Sequence, residues 1–130
     1  MSIVRFGSDN PWEPVVGYSR VLVHGDMAWV SGTTSTVDGK VVHAGDPGAQ
    51  ARQALANVQD ALERAGFSLG DVVRTRMFVT DIGRWREIGE VHGEVFADIR
   101  PATSMVQVAA LIDPDMLVEI EADAVRRVTA

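Results

Sequence analysis

Three acidic residues alternate near the C-terminus, Glu119, Glu121 and Asp123, and a period of two places them on one face of a strand. Carboxylates held that close raise the proton affinity of at least one of them unless cations intervene. A carboxyl tuned upward suits general acid or base work at neutral pH. Arg74, Arg76, Arg126 and Arg127 are the cations that could instead neutralise the set across a sheet or an interface. The other reactive types are scattered. His24, His43 and His92 show no metal-ligand spacing, so no metal site is expected. Ser31 has no partner whose spacing would fix a triad. There is no cysteine, which removes thiolate nucleophiles, disulfides and cysteine metal sites. No glycine-rich phosphate loop follows a strand, so no nucleotide or other cofactor is implied. Tyr18 and Trp12 could line a pocket or simply pack, and Trp29 reads as core.

The chain that must position these residues is 130 long, the size of one domain, expected to span 1–130. Hydrophobic residues make up 46% and charged residues 23%, as in globular proteins, and no repeat or linker interrupts them. A formal net charge of -6 opposes phosphate backbones and acidic membrane surfaces, so neither nucleic acid nor membrane is an expected partner. No apolar run approaches the roughly 18 residues of a membrane span. The N-terminus lacks a signal-peptide pattern, and a cytoplasmic location is the expectation.

Local patterns supply the elements. Residues 7–14, punctuated by Gly, Asn and Pro, read as a loop. Tyr18–His24 and Met27–Ser31 read as a hairpin around Gly25-Asp26, and Asp38-Gly39 marks a second turn. Asp46 as N-cap and Pro47 at the first position open a helix. Ala51, Leu55, Val58, Leu62 and Ala65 give it an apolar face, and Gly66 ends it. A strand over Asp71–Val79 leads to a second helix near 83–97, with Trp85, Ile88, Val91 and Val95 as its stripe and Thr80-Asp81 as its cap. Arg100-Pro101 stops that helix. Two closing strands, Thr103–Leu111 and Leu117–Arg127, are expected as neighbours.

The order predicts an α+β fold, a mixed sheet with two helices on one face. In the last strand Val118, Ile120, Ala122 and Ala124 suit the helix-covered side. The reverse face, with Leu117, Glu119, Glu121, Asp123 and Val125, is left either solvated or covered by another chain. Its neighbour presents either Ser104, Val106 and Val108 or Thr103, Met105, Gln107 and Ala109.

The closing segment RPATSMVQVAAL…LVEIEADAVRR resembles the last two strands of the Rid family (RidA, YjgF or L-PSP proteins), the reactive-intermediate deaminases. That family carries Pro-Ala-Arg-Ser followed by Glu-Ile-Glu-Ala. Val30-Ser31-Gly32, the helix motif from Gln50 to Val58, and Asp71 to Asp81 are similar to further family motifs. The resemblance spans nearly the whole chain. It implies a chorismate-mutase-like fold and a homotrimer whose uncovered sheet faces line a central barrel, with small-molecule clefts between subunits. It also implies hydrolysis of imines or enamines, with Glu119 positioning the water and Ser31, Gly32 and, from a neighbouring subunit, Tyr18 completing the pocket.

The family arginine does not carry over. Its place is taken by Thr103, Met105 stands where a small residue or cysteine is common, and Gly89 replaces a frequent asparagine. A threonine has no bidentate fork for a carboxylate. Charge-assisted hydrogen bonds are worth roughly 1.5–3 kcal/mol, so the usual 2-imino acids lose their anchor unless Arg74, Arg76 or Arg100 replaces it. The expected activity is therefore hydrolysis of a different reactive imine or enamine. A non-catalytic ligand-binding or chaperone-like trimer is the alternative, and the endoribonuclease label of some relatives sits badly with the acidic charge.

Overall fold

The structure is a computed structural model and describes residues 2–126. Arg127, expected at the end of the last strand and as a possible counter-ion, lies outside the described residues. The elements are β1 (Ile3–Phe6), α1 (Trp12–Val16), β2 (Val21–His24), β3 (Met27–Thr33), β4 (Thr36–Val37), β5 (Lys40–Val41), α2 (Pro47–Arg64), β6 (Val72–Val79), α3 (Trp85–Phe96), β7 (Ala102–Gln107) and β8 (Val118–Val125).

Six strands form one sheet in the order β1-β2-β3-β8-β6-β7, and β4 pairs with β5 apart from it. All pairings in the large sheet are antiparallel except β6 with β7. The parallel pair is joined through α3, as a crossover requires. The two long helices and one face of the sheet share a core that includes Leu55, Val58, Leu62, Ile88, Phe96, Val118, Ile120 and Ala122. This is the mixed α+β arrangement that the element order predicts.

Local chemistry explains the boundaries. Asp38 and Gly39 have φ of 51° and 77°, the left-handed pair that a tight two-residue hairpin requires. The Asp46 side chain accepts from the Ala49 amide at 3.0 Å and caps α2, which runs out just before Gly66 at φ 87°. Asp81 accepts from the Gly83 amide at 2.9 Å, capping a single 3-10 turn that feeds α3.

Several expectations are corrected. Residues 7–14 are not all loop, because α1 starts at Trp12, whose amide donates to the Asn10 side chain at 2.9 Å. A five-residue helix is too short to show a period, and its stability comes from Glu13, buried and bonded to Ser8. The edge strand β1 has no turn signal of its own. Trp29 is 37% exposed and Trp85 49% exposed, so neither is core. The buried side of α3 carries Ile88, Val91, His92 and Phe96 instead. The second closing strand does not lie beside the first. β8 sits between β3 and β6, so both its edges are paired, and the open edges belong to β1 and β7.

The face that β8 turns away from the helices is as expected. Val118, Ile120, Ala122 and Ala124 are buried, while Glu119, Glu121 and Asp123 point to the uncovered side. Trp29, Asp123 and Arg74 fall in register across β3, β8 and β6, as do Phe78 and Glu119. No helix among the described residues is long and apolar enough to cross a membrane.

Candidate active site

The three acids of β8 part company once their neighbours are in place. Arg76, on the adjacent β6, reaches Glu121 at 3.2 Å and Asp123 at 3.3 Å. One guanidinium is therefore shared by two carboxylates, the cross-strand pairing foreseen for those two. Glu119 is left out of it. Burial raises its proton affinity above the ordinary carboxylate value, with Arg20 opposing and Glu121 adding to the rise.

Glu119 lies against the backbone of β3. The pairing of β3 with β8 shifts register between Val30 and Thr33, which places Ser31 and Gly32 at an irregular step. A Cβ on Gly32 would stand 2.7 Å from the Glu119 carboxyl carbon and 3.0 Å from each of its oxygens. The glycine is required here for space, since its φ is not left-handed. Ser31 is bound inward, its hydroxyl donating to the Ser19 carbonyl at 2.7 Å and its amide to the Arg20 carbonyl at 3.1 Å. A side chain so engaged is a wall of the site and not a nucleophile.

Arg20 completes the cluster. Its Nη2 donates to the Gly32 carbonyl at 2.5 Å, and its guanidinium lies 5.9 Å from the Tyr18 ring centre. Its Nε is buried and has no hydrogen-bond partner among the described residues. Burial lowers its proton affinity, while Tyr18, Glu13 and Glu119 pull it back up. Tyr18 is shifted the other way by burial, with Arg20 opposing. Tyr18, Arg20, Ser31, Gly32 and Glu119 are thus brought together within one chain. Arg20 went unnoticed in the sequence, although a signal existed. Counting back from the Gly25 turn, His24 faces Met27 and Val21 faces Val30, so the next step sets Arg20 opposite Ser31.

Thr103 and Met105 lie elsewhere. They pair with Thr75 and Met77 across the β6–β7 ladder, which turns them to the helix side of the sheet, away from Glu119. The Thr103 and Thr75 hydroxyls share a hydrogen bond of 2.6 Å, and Thr75 shares another with His92 Nε2 at 2.8 Å. Burial lowers the proton affinity of His92, at which the chain of hydroxyls ends. Gly89 lies on the same helix, against the Trp85 ring. Of the arginines considered as replacements, Arg76 is taken by Glu121 and Asp123, and Arg100 is exposed and folded back on the Ala97 carbonyl at 3.1 Å. Arg74 is in register with Asp123 and Ala102, not with Thr103. The three histidines stay apart, and no group of three or more potential metal ligands occurs among the described residues.

The geometry has counterparts. The endoribonuclease L-PSP family model matches residues 8–126. A Mycobacterium tuberculosis protein described as a member of the highly conserved YjgF/YER057c/UK114 family is 52% identical, with a TM-score of 0.87 over 95% of this chain and 99% of that one. The Escherichia coli YjgF gene product is 34% identical, with a TM-score of 0.83 over 95% of this chain and 99% of its own. A RutC family protein of Pyrococcus horikoshii is 34% identical over 119 residues, covering 90% of this chain and 93% of that one. With the family model matched over residues 8–126 and relatives of the same length, the chain belongs to the YjgF/L-PSP family, the Rid family that its motifs resemble.

Proposed function

We propose that the protein is a homotrimer that hydrolyses a small reactive imine or enamine at clefts between subunits, with Glu119 as the proton-handling group. The observation that carries this reading is the Glu119 carboxyl. It is half-buried, raised in proton affinity and free of the Arg76 pairing that occupies its two neighbours. As a carboxylate it takes a proton from water, whose oxygen forms a bond to the C=N carbon as the π electrons move to nitrogen. The nitrogen gains a proton, the carbinolamine loses ammonia, and the carbonyl product remains. An enamine first gains a proton at carbon and gives one up from nitrogen to become the imine. Burial favours this role, because a carboxyl of raised proton affinity takes up and holds a proton more readily than an ordinary carboxylate.

The split of the expected residues between two faces of the sheet supports assembly. Thr103 and Met105 line the open β7 edge, and a second copy is what would bring such an edge to the Glu119 cluster. Thr103 itself offers one neutral hydroxyl that is already shared with Thr75. It cannot clamp a carboxylate as an arginine does. The same bond supports the second reading, a trimer that binds a small ligand without turnover.

An imine generated by an amino-acid or amine oxidase separates the two. Wild-type protein is expected to speed carbonyl and ammonia release, and Glu119→Gln to lower that rate by about a hundredfold or more, the scale of general acid–base catalysis. No acceleration by wild type, or an unchanged rate in Glu119→Gln, sinks the hydrolase. Ligands that raise the melting temperature would then favour binding alone.

A further inference from the structure

We infer that Arg20 is the anion-recognising residue of this site, and that the ligand carries a single carboxylate or equivalent oxyanion presented to Arg20 and not to Thr103. The inference rests on the reading of the Glu119 cluster as the reactive centre, and it names the class of molecule that centre receives.

Four observations support it. Arg20 is half-buried, and no carboxylate among the described residues forms a direct salt bridge with it, although Glu13 and Glu119 lie near enough to act on its charge. A half-buried guanidinium with no direct ion pair keeps its remaining donors available to an anion. Its Nε is the buried side-chain polar atom left without a hydrogen-bond partner among the described residues. Such an orphan commonly marks a place for a ligand or water. One Nη is spent on the Gly32 carbonyl at 2.5 Å, which fixes the plane of the fork beside the residue that Glu119 packs against. Finally, Arg20 also lines a cavity of about 590 Å³, a size suited to a small molecule, whose wall includes Asn57 and Arg64 of α2 but not Glu119, Gly32, Ser31 or Tyr18.

The cavity also limits the charge of what enters. Arg64 adds a second cation, but Asp9, Asp38 and Asp60 line it too. A polyanion such as a nucleotide would meet three carboxylates, whereas a monocarboxylate can be met by one arginine. The anion anchor that the family arrangement places on β7 is therefore supplied here ahead of β2, next to Glu119 in the same chain.

The test compares two imines on the intact protein: a 2-imino acid released by an amino-acid oxidase, and a neutral imine released by an amine oxidase. Wild type is expected to favour the anionic imine in kcat/KM, and Arg20→Gln to cut that preference by about tenfold or more, mainly through KM. A preference that survives Arg20→Gln, or no preference in wild type, overturns the assignment. If Arg20→Gln does not fold, Arg20→Lys replaces it. Loss of the fork is then expected to cut the preference by at least about threefold, and an unchanged preference overturns the assignment. If wild type hydrolyses neither imine, the hydrolase reading fails while Arg20 stays testable by calorimetry. Saturable binding of 2-oxobutanoate, absent for butanone and lost in Arg20→Gln, supports it. Absent binding, or binding equal in the variant, overturns it.

Discussion

Glu119 and Gly32 operate as a pair, because one supplies a carboxyl and the other the empty volume that it occupies. Gly32→Ala would drive a methyl group to 2.7 Å from the Glu119 carboxyl carbon. The clash is with the end of a flexible side chain, so Glu119 can swing away at little cost to the fold. Stability by urea unfolding is expected to stay within about 1 kcal/mol, while imine turnover falls about a hundredfold from the misplaced carboxyl. A large loss of stability with activity intact would count against this account. The protonation of Glu119 leads to a second expectation. Its proton affinity is higher folded than unfolded, so its effect on stability is most favourable at low pH and turns unfavourable as pH rises through the folded pKa. Glu119→Gln removes that cost. Its melting temperature is expected to exceed that of wild type by about 2 °C or more at pH 7–8, and the gap to close as pH falls toward about 4.3, the ordinary glutamate value. Scanning calorimetry across that range checks it.

At the scale of elements, the site depends on how β8 is launched. Gln50, fully buried on α2, donates to the carbonyls of His43 and Asp115 at 3.2 and 2.8 Å and accepts from the Leu117 amide at 2.8 Å. One amide side chain therefore ties the helix start, the turn before β8 and the first residues of that strand, two positions ahead of Glu119. Gln50→Leu keeps the volume and abandons those backbone groups, an expected loss of at least about 2 kcal/mol by urea unfolding. Elements of this size were legible from spacing alone. Asp46-Pro47 and Gly66 bracket α2, and the period of Ala51, Leu55, Val58 and Leu62 tells which side is buried. The short α1 was not legible, since Glu13, the residue that holds it, looks like a surface acid until Ser8 is folded back onto it. Trp29 was misjudged for a related reason. Strand alternation says which residues share a face, but only the packed helices say which face is dry.

For the whole molecule, the face opposite the helices carries Trp29, Val106 and Val125 beside Arg76 and the β8 acids, and β7 is one of the two open edges. An apolar edge and face of that kind are covered in a stable protein or invite pairing. Under the proposed assembly, light scattering is expected at three times the chain mass of 14.0 kDa. Trp29→Glu, which buries a charge in any such contact, is expected to lower the mass toward that of the monomer with far-UV circular dichroism preserved. A monomeric wild type would remove the inter-subunit cleft and leave only the Glu119–Arg20 cluster as a site.

The amino-acid sequence by itself determined the α+β order, the two long helices and their caps, the buried side of β8, the family, and the position of Glu119. Each of these follows from short-range periodicity, turn chemistry or contiguous motifs. Only the tertiary structure decided the rest. It placed β8 between β3 and β6, gave Arg76 to Glu121 and Asp123, turned Thr103 to Thr75 and the far side of the sheet, and set Arg20 beside Glu119. Strand order and the sharing of charges depend on residues far apart in the chain, 28 positions for Thr75 and Thr103 and 45 for Arg76 and Glu121. Local patterns carry no record of which distant strand a given face will meet.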